Sequence, residues 1–296
     1  GRDLWLISRM KSGKWGQAEN LGERINSEGH EESPFLHPNG KTLFFRSDGH
    51  PGMGGFDIYI SEWDEVKKLW SNPRNLGYPI NTEGNERALY VSADGKTAYF
   101  ASDAAVDRSL QNNLDIFQFE LPLESRPDPV SYVRLSVHDA DTKMILHPTY
   151  TLINVSNKDT VMSGKVEGNS VLFALKHDVS YAFHLEQAGY IFYSENFDTR
   201  DIHSLQKEYQ LKVGMQKLKE KEVSQAVVLH NIFFKSGAYE LLPESEVEIQ
   251  KLYNLLNNNV GSKIKITGHT DNIGPDQDNL TLSQNRANAV INALIK

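Results

Sequence analysis

The sequence predicts a multidomain protein in which two β-rich regions precede an α/β region. Three observations carry this prediction. An early segment repeats at an offset of 55 residues, a middle segment alternates apolar and polar residues as a strand does, and the last segment reads as strand, helix, strand, helix. At 296 residues the chain is long enough for two or three domains of ordinary size.

The composition is that of a folded protein and excludes several classes of function. The 31 Lys and Arg residues and 39 Asp and Glu residues give a formal net charge of −8, which argues against a nucleic-acid partner. There is no cysteine, so disulfides, thiolate metal sites and a cysteine nucleophile are excluded. We find no catalytic or metal-binding motif and expect neither enzyme activity nor a cofactor. The start at Gly1, without an initiator Met or a signal peptide, suggests a cut or processed end.

A repeat occupies residues 1–121. Three short motifs recur in the same order, two of them at an offset of 55 (75 − 20, 80 − 25) and one at 58 (115 − 57). Each copy holds short apolar runs separated by Gly, Asn and Pro turns, which is typical of propeller blades. The pairs are Asn20-Leu21-Gly22 with Asn75-Leu76-Gly77, Ile25–Gly29 with Ile80–Gly84, and Asp57-Ile58-Tyr59 with Asp115-Ile116-Phe117.

These motifs resemble the WD-like propeller repeats of TolB and of many outer-membrane proteins of the OmpA family. A closed ring needs at least four blades, so we expect residues 1–121 to form an incomplete propeller whose other blades are missing from this chain. The resemblance implies that the propeller binds outer-membrane or periplasmic protein partners. We interpret Asp57 as a residue that caps a turn between blade strands, rather than as a metal ligand or catalytic group.

Residues 130–211 are predicted to form a small β-sandwich. Apolar and polar residues alternate from Val133 to Val137, and several further short apolar runs follow without a helical period. Residues 212–225 are charged and mixed, which favours a solvated linker.

Two turns in this region resemble the carboxypeptidase regulatory-type domain. They are Asp139-Ala140-Asp141-Thr142 and the hairpin Ala188-Gly189-Tyr190. Asp139 and Asp141 could ligate calcium, but solvated turn positions are the favoured interpretation.

The last segment predicts an α/β layer. Ala226–Phe234 and Lys263–Thr267 are interpreted as strands. Residues 243–257 are interpreted as a helix, because apolar side chains recur at i, i+3, i+4 and i+7. A second helix would follow, capped by Thr281 or Ser283.

A dense motif lies between the second predicted strand and the second predicted helix. It comprises Gly268-His269-Thr270-Asp271, then Gly274, and then the segment Asn279–Ala287 with its Leu-Ser and Arg-Ala pairs. The motif resembles the peptidoglycan-binding signature of OmpA-like domains, and the resemblance covers residues 226–296. In that family the ligand is the meso-diaminopimelate of the peptidoglycan stem peptide.

The resemblance implies a two-charge site. Asp271 would bind the ammonium of the ligand and Arg286 its carboxylate, with Thr270 and Asn279 as further participants and His269 as a candidate lining residue. The chemistry is consistent, because a zwitterionic end group needs an anion and a cation close together, and Arg pairs with carboxylate through two bonds. The alternative is that Asp271 caps a turn and Arg286 makes a surface salt bridge.

Two features depart from the family pattern. Lys235 stands where the family often has an acidic residue, and the sequence stops at Lys296, where the family continues with a further strand. We therefore expect a truncated OmpA-like domain. The expected function is a non-catalytic anchor in the periplasm, associated with the outer membrane and gripping peptidoglycan. The order of the three regions resembles that of the peptidoglycan anchor of the Bacteroidota type IX secretion system. Alternatives are an interaction scaffold that acts through its propeller, or a cell-wall hydrolase.

Overall fold

A computed structural model describes residues 1–10, 14–102, 115–218, 228–259, 261, 263–271 and 273–295. The chain divides into two compact units. The first comprises Gly1–Val133, Leu172–His177 and Ile202–Tyr209, and the second comprises Arg134–Val171, Asp178–Asp201 and Gln210–Lys296. Neither helix of the described part is long and apolar enough to cross a membrane.

Between Trp5 and Glu120, the described strands of the first unit are antiparallel and form three sheets. β1 pairs with β2, β4 lies between β3 and β5, and β9 lies between β8 and β10, while the short strands β6 and β7 both pair with β5. The strands are β1 (Trp5–Arg9), β2 (Trp15–Asn20), β3 (Glu31–Leu36), β4 (Thr42–Ser47), β5 (Asp57–Asp64), β6 (Leu69–Trp70), β7 (Arg74–Asn75), β8 (Glu86–Val91), β9 (Thr97–Ser102) and β10 (Asp115–Glu120).

The sequence repeat is also a structural repeat. β3 and β8 have the same length and are offset by 55 residues (86 − 31), as are β4 and β9 (97 − 42). β10 begins 58 residues after β5 (115 − 57), as the motif offset predicts. The described strands form small antiparallel sheets, and they do not close into a propeller ring.

The central strands of the first unit are buried on both faces. Phe44, Ile58 and Ile60 belong to one apolar cluster, which also contains residues of β8 and β9. Phe45 and Tyr59 belong to a second cluster. Because successive side chains of a strand point to opposite faces, consecutive residues of β4 and β5 belong alternately to the two clusters. The β3–β5 sheet is therefore packed between layers on both sides.

Equivalent asparagines fix each copy of the repeat. Asn81 is fully buried, accepts the N–H of Ile58 at 2.8 Å, and donates to the Ile58 carbonyl at 2.9 Å. Asn26, which lies 55 residues earlier, makes the same pair of bonds to Leu4, at 2.8 and 3.1 Å. The Asn81 amide thus takes the place of a neighbouring strand for Ile58, at the start of β5. The Asn26 amide does the same for Leu4, just before β1.

Asp57 has the turn role that the sequence indicates. It is buried, and its carboxylate accepts the backbone N–H of Met53 and, at 3.1 Å, the side-chain amide of Asn75. Asp3 begins the triplet Asp3-Leu4-Trp5, which is an earlier copy of Asp57-Ile58-Tyr59, and its carboxylate accepts the amide of Asn20 at 2.8 Å. The repeated Asp therefore ties the start of a strand to the neighbouring turn.

The second unit contains a four-stranded antiparallel sheet in the order β13-β12-β15-β16. Its register pairs Ile153 with Ala182 and His184 with Ser194, so these four side chains lie on one face of the sheet. The strands are β12 (Thr149–Asn154), β13 (Thr160–Lys165), β15 (Ser180–Glu186) and β16 (Tyr193–Asp198). The remaining strands of the chain are β11 (Val130–Asp139), β14 (Val171–Lys176) and β17 (Tyr209–Met215).

Asp139 is a buried turn residue. Its carboxylate accepts the backbone N–H groups of Thr142 at 2.7 Å and Asp141 at 2.9 Å, and the hydroxyl of Tyr190 at 2.7 Å. The bond from Thr142 is the largest of the effects that hold the pKa of Asp139 well below its usual range. The turn is thus stabilised by the protein's own donors, and Asp139 is buried rather than solvated.

Neither of the two strands predicted for the last segment is formed by the described residues. From 228 to 234 there is one isolated bridge, between Phe234 and Leu241, and residues 263–267 form no strand. Ala226 and Val227 lie outside the described residues. The alternation of apolar and polar residues determines which side chains would share a face of a strand. A strand also needs a hydrogen-bonded neighbour, and none of the described residues supplies one.

The two predicted helices are present, with one corrected boundary. α1 spans Glu246–Asn258 after a 3-10 turn at Pro243–Ser245, and α2 spans Asp276–Ile295. The second helix therefore begins before Thr281 and Ser283. The Pro275 carbonyl accepts the backbone N–H groups of Asp278 and Asn279, each at 3.1 Å. The acidic residues Asp276 and Asp278 in the first turn favour this start through the helix dipole.

Candidate functional site

The backbone of Gly268 lies directly against α2. A β-carbon added to Gly268 would lie 2.2 Å from the carbonyl oxygen of Ser283 and 3.4 Å from the nitrogen of Ala287. Only glycine allows such an approach without displacing one of the two segments. Arg286 lies in the same turn of the helix, so this contact brings the two halves of the predicted binding motif together.

The Arg286 side chain is half-buried and held at its inner end. Its Nε donates to the carbonyl of Ala238 at 3.0 Å, and its guanidinium carbon lies 5.0 Å from the centre of the Phe234 ring. Both contacts restrict the guanidinium plane. The two terminal nitrogens make no hydrogen bond or ion pair with any residue that the structure describes. This outer edge can bind a carboxylate through two parallel bonds.

The position of Arg286 in its helix differs from the sequence prediction. A helix capped by Thr281 or Ser283 would place Arg286 in or near its first turn, but Arg286 lies ten residues after Asp276, where α2 begins. The field of a helix terminus falls off within the first turn. The helix N-terminus therefore adds little to an anion bound at Arg286, and the guanidinium must supply the attraction itself.

Asp271 is exposed and only weakly engaged. Its carboxylate accepts the backbone N–H of Ile273 at 3.4 Å, which is a long contact. Asn279 lies in the first turn of α2, and its side-chain amide donates to the Ile273 carbonyl at 3.1 Å. Asn279 thus fixes the loop after Asp271 to the helix.

The other two predicted site residues lie beside Asp271 in the chain. His269 is exposed and Thr270 is half-buried. Neither side chain makes a hydrogen bond within the described part of the chain. Their roles in binding stay predictions.

Lys235 is neutralised locally. Its ammonium forms a salt bridge with Glu240, and this hydrogen bond lowers the pKa of the Glu240 carboxyl. Both side chains are exposed. Where the family often has an acidic residue, this chain therefore has a lysine whose charge is paired with Glu240.

The sequence did not reveal the residues that hold Arg286. Phe234 and Ala238 are separated from it by about 50 positions, and the carbonyl of Ala238 carries no side-chain signal at all. Gly268 offered the clearest available clue, since a glycine beside a predicted strand often marks close backbone approach.

The C-terminal segment that carries Asp271 and Arg286 matches a known protein family. Residues 233–296 match the model of the OmpA family. This stretch is an OmpA-family domain. It is also 42% identical over 62 residues to the protein named "Putative lipoprotein YfiB" of Escherichia coli (strain K12), a match that covers 21% of this chain and 39% of that protein.

Solved structures resemble the chain only distantly. The TIE protein of Bacillus anthracis has a TM-score of 0.26 at 11% identity, over 72% of this chain and 51% of that one. A C-terminal fragment of the pilus adhesin SpaC from Lactobacillus rhamnosus GG has a TM-score of 0.25 at 12% identity, over 74% and 89%. Both scores are too low to support an argument about fold or function.

Proposed function

We propose that the OmpA-family domain is a non-catalytic peptidoglycan-binding module. In this proposal Arg286 binds the carboxylate of diaminopimelate in the stem peptide, and Asp271 binds its ammonium. The observation that carries it is the state of Arg286. It is anchored at Nε and over Phe234, while its terminal nitrogens make no hydrogen bond with any described residue. The close approach of Gly268 to α2 supports the placement of Asp271 near this cation.

The expected affinity for a single stem peptide is modest. A hydrogen bond to a charged group contributes roughly 1.5–3 kcal/mol, and Asp271 is exposed, so water competes for its side of the site. Cell wall presents many identical stems on one polymer. Rebinding to neighbouring stems would hold the protein on the wall longer than one contact could.

The test is co-sedimentation of the purified chain with cell-wall sacculi. Asp271→Ala and Arg286→Ala should each abolish sedimentation, because each removes one of the two charges. Arg87→Ala and Asp201→Ala, which change exposed residues outside the domain, should sediment as the parent chain does. Normal sedimentation of both site variants would refute the assignment. Muropeptides incubated with the protein should yield no new products by mass spectrometry.

The proposal extends to the location and partners of the chain. We infer that the protein lies in the periplasm, associated with the outer membrane, because a peptidoglycan-binding domain must reach the cell wall. The first unit would then hold an outer-membrane or periplasmic assembly such as the type IX secretion machine. Support comes from the β1–β2 sheet, where Trp5 and Trp15 are 58% and 68% exposed. Exposed aromatic residues of this kind often mark a protein interface.

The proposed protein interface at Trp5 and Trp15 can be tested separately. Cross-linking in envelope preparations should capture a partner protein with the intact chain, and Trp5→Ser/Trp15→Ser should lose that partner while still binding sacculi. A matched change at the exposed Tyr209 should have no effect. Equal capture by the tryptophan variant would contradict this interface.

A further inference from the structure

Arg286 is held by a short segment that precedes α1. We call residues 231–242 the support segment, because Phe234 and Ala238 within them contact Arg286. Backbone hydrogen bonds close this segment into a compact turn. They run from Lys235 to Glu240, from Ala238 to Lys235 and from Leu242 to Phe233, at 3.2, 3.0 and 2.8 Å. A segment closed in this way moves as one piece, so the contacts that fix it also fix the two partners of Arg286.

Ser245 fixes the support segment to α1. Its hydroxyl accepts the backbone N–H of Phe233 at 2.7 Å and donates to the Phe233 carbonyl at 3.0 Å. Ser245 is fully buried and directly precedes the first residue of α1. One anchor of the support segment therefore lies inside the OmpA-family domain.

Asn231 fixes the support segment to the four-stranded sheet of the second unit. Its Nδ2 donates to the hydroxyl of Ser194 in β16 at 2.6 Å, and that hydroxyl donates to Oε2 of Glu248 in α1 at 2.5 Å. Ser194 is 4% exposed, Asn231 is 1% exposed and Glu248 is fully buried. The hydroxyl therefore joins three elements in the interior of the unit. This second anchor comes from the sheet, which lies outside the OmpA-family residues 233–296.

The anchor on the sheet lies close in the chain to a residue that holds Arg286. Asn231 precedes Phe234 by three residues, which span at most about 10 Å. Without the Ser194 hydroxyl, the Asn231 amide would lose a hydrogen-bond partner in the protein interior. A buried polar group in that state must find another partner or move. A displacement of Asn231 would then be passed along the support segment to the ring of Phe234.

We propose that Ser194 and Asn231 are positioning residues for the Arg286 site. The sheet holds the support segment through them, and the support segment holds the guanidinium plane through Phe234 and Ala238. Loss of the Ser194 hydroxyl would loosen this plane while both site charges remain, and a fork that is not fixed binds a carboxylate less well. The consequence for binding rests on the proposed peptidoglycan-binding role of Arg286, whereas the effect on the guanidinium does not.

The NMR resonance of the Arg286 Nε–H group in the full chain tests the proposal, because this group donates to the Ala238 carbonyl. In Ser194→Ala and in Asn231→Ala we expect the resonance to shift and its exchange with water to accelerate about tenfold. Ser163→Ala removes an exposed hydroxyl from β13 of the same sheet and should change neither. An unchanged Nε–H group in both site variants would overturn the proposal, because Ser245 alone would then hold the support segment.

Co-sedimentation with sacculi measures the consequence for binding. Ser194→Ala should weaken sedimentation about fivefold in the parent chain but not in Arg286→Lys, where no Nε–H donor is left to position. Ser194→Cys keeps a weak donor of similar volume, so it should fold and have an intermediate effect. An equal loss in both backgrounds would overturn the proposal, since the change would then not act through the guanidinium. If the parent chain does not sediment, the proposed function fails, and the Nε–H resonance still decides whether Ser194 positions Arg286.

Discussion

The α-carbon of Gly268 lies so close to Ser283 that a β-carbon there would be 2.2 Å from the Ser283 carbonyl oxygen. This contact connects the loop that carries Asp271 to the helix that carries Arg286. The proposed site therefore depends on a backbone approach as well as on its two charges. Any side chain at position 268 must separate the loop from the helix or shift the helix.

Gly268→Ala is expected to impair binding without removing either charge. Forcing the segments apart should cost about 1–3 kcal/mol of stability, as overpacking does. It should also weaken sedimentation with sacculi at least tenfold. Thermal unfolding and co-sedimentation measure the two effects. Thr267→Ala, at the exposed neighbouring position, is the control and should behave as the parent chain.

Arg286→Lys is expected to weaken binding although it keeps the positive charge. Lysine cannot donate to Ala238 from an Nε position and offer a planar fork at the same time. A loss of about one bidentate bond should reduce the affinity for sacculi roughly tenfold, which corresponds to about 1.4 kcal/mol. Arg87→Lys is the matched control. Equal binding by Arg286→Lys would mean that the guanidinium geometry is not used.

The fold could be predicted from the sequence wherever a local pattern was sufficient. The 55-residue offset predicted matching strands, and the apolar spacing within residues 243–257 predicted α1, because each signal can be seen in the order of residues alone. The strand at 263–267 was wrong, since its alternation could not specify a partner strand. The start of α2 was wrong because Asn279 and Thr281 were interpreted as loop and cap residues.

The sequence motif supplied candidate site residues, which stay predictions, but not the residues that hold them in place. Asp271 and Arg286 were found through a motif, whereas Phe234 and Ala238 contact Arg286 across about 50 residues, which no local pattern encodes. The burial of Glu248 was equally hidden, because a Glu in the first turn of a helix normally faces solvent. The boundaries at 121, 130 and 226 stay predictions. β17 continues past residue 211 into the predicted linker, and Val213 and Met215 are buried there rather than solvated.

Asn81→Ala is expected to destabilise the first unit. The amide provides the hydrogen-bond partners for both backbone groups of Ile58, and each buried group left without a partner costs about 1–3 kcal/mol. Urea unfolding should show a clear loss of stability. Asn26→Ala should behave similarly, because it makes the same pair of bonds to Leu4. Asn72→Ala, at an exposed position, should be neutral, and a neutral Asn81→Ala would refute the role of the repeated amide.

His184 is expected to make stability fall in mild acid. Its pKa is about 4 in the folded chain, below the ordinary 6.5, because the ring is buried. The unfolded chain therefore takes up the proton first, so stability is complete above pH 6.5 and is lost as the pH falls towards 4. The full loss from this group is roughly 3 kcal/mol, and about 2 kcal/mol of it falls between pH 7 and pH 5.

Urea unfolding at pH 7 and pH 5 checks this expectation against His184→Gln. Glu248 acts in the opposite direction, since burial raises its pKa and protonation in acid removes an unfavourable buried charge. The parent chain and the His184→Gln variant both contain Glu248, so its contribution cancels when their losses of stability from pH 7 to pH 5 are compared. The remaining difference is due to His184. The variant should lose about 2 kcal/mol less than the parent from pH 7 to pH 5, whatever its stability at pH 7. The exposed His203→Gln should retain the parent's loss. Identical losses in all three chains would show that His184 is not buried in its neutral form.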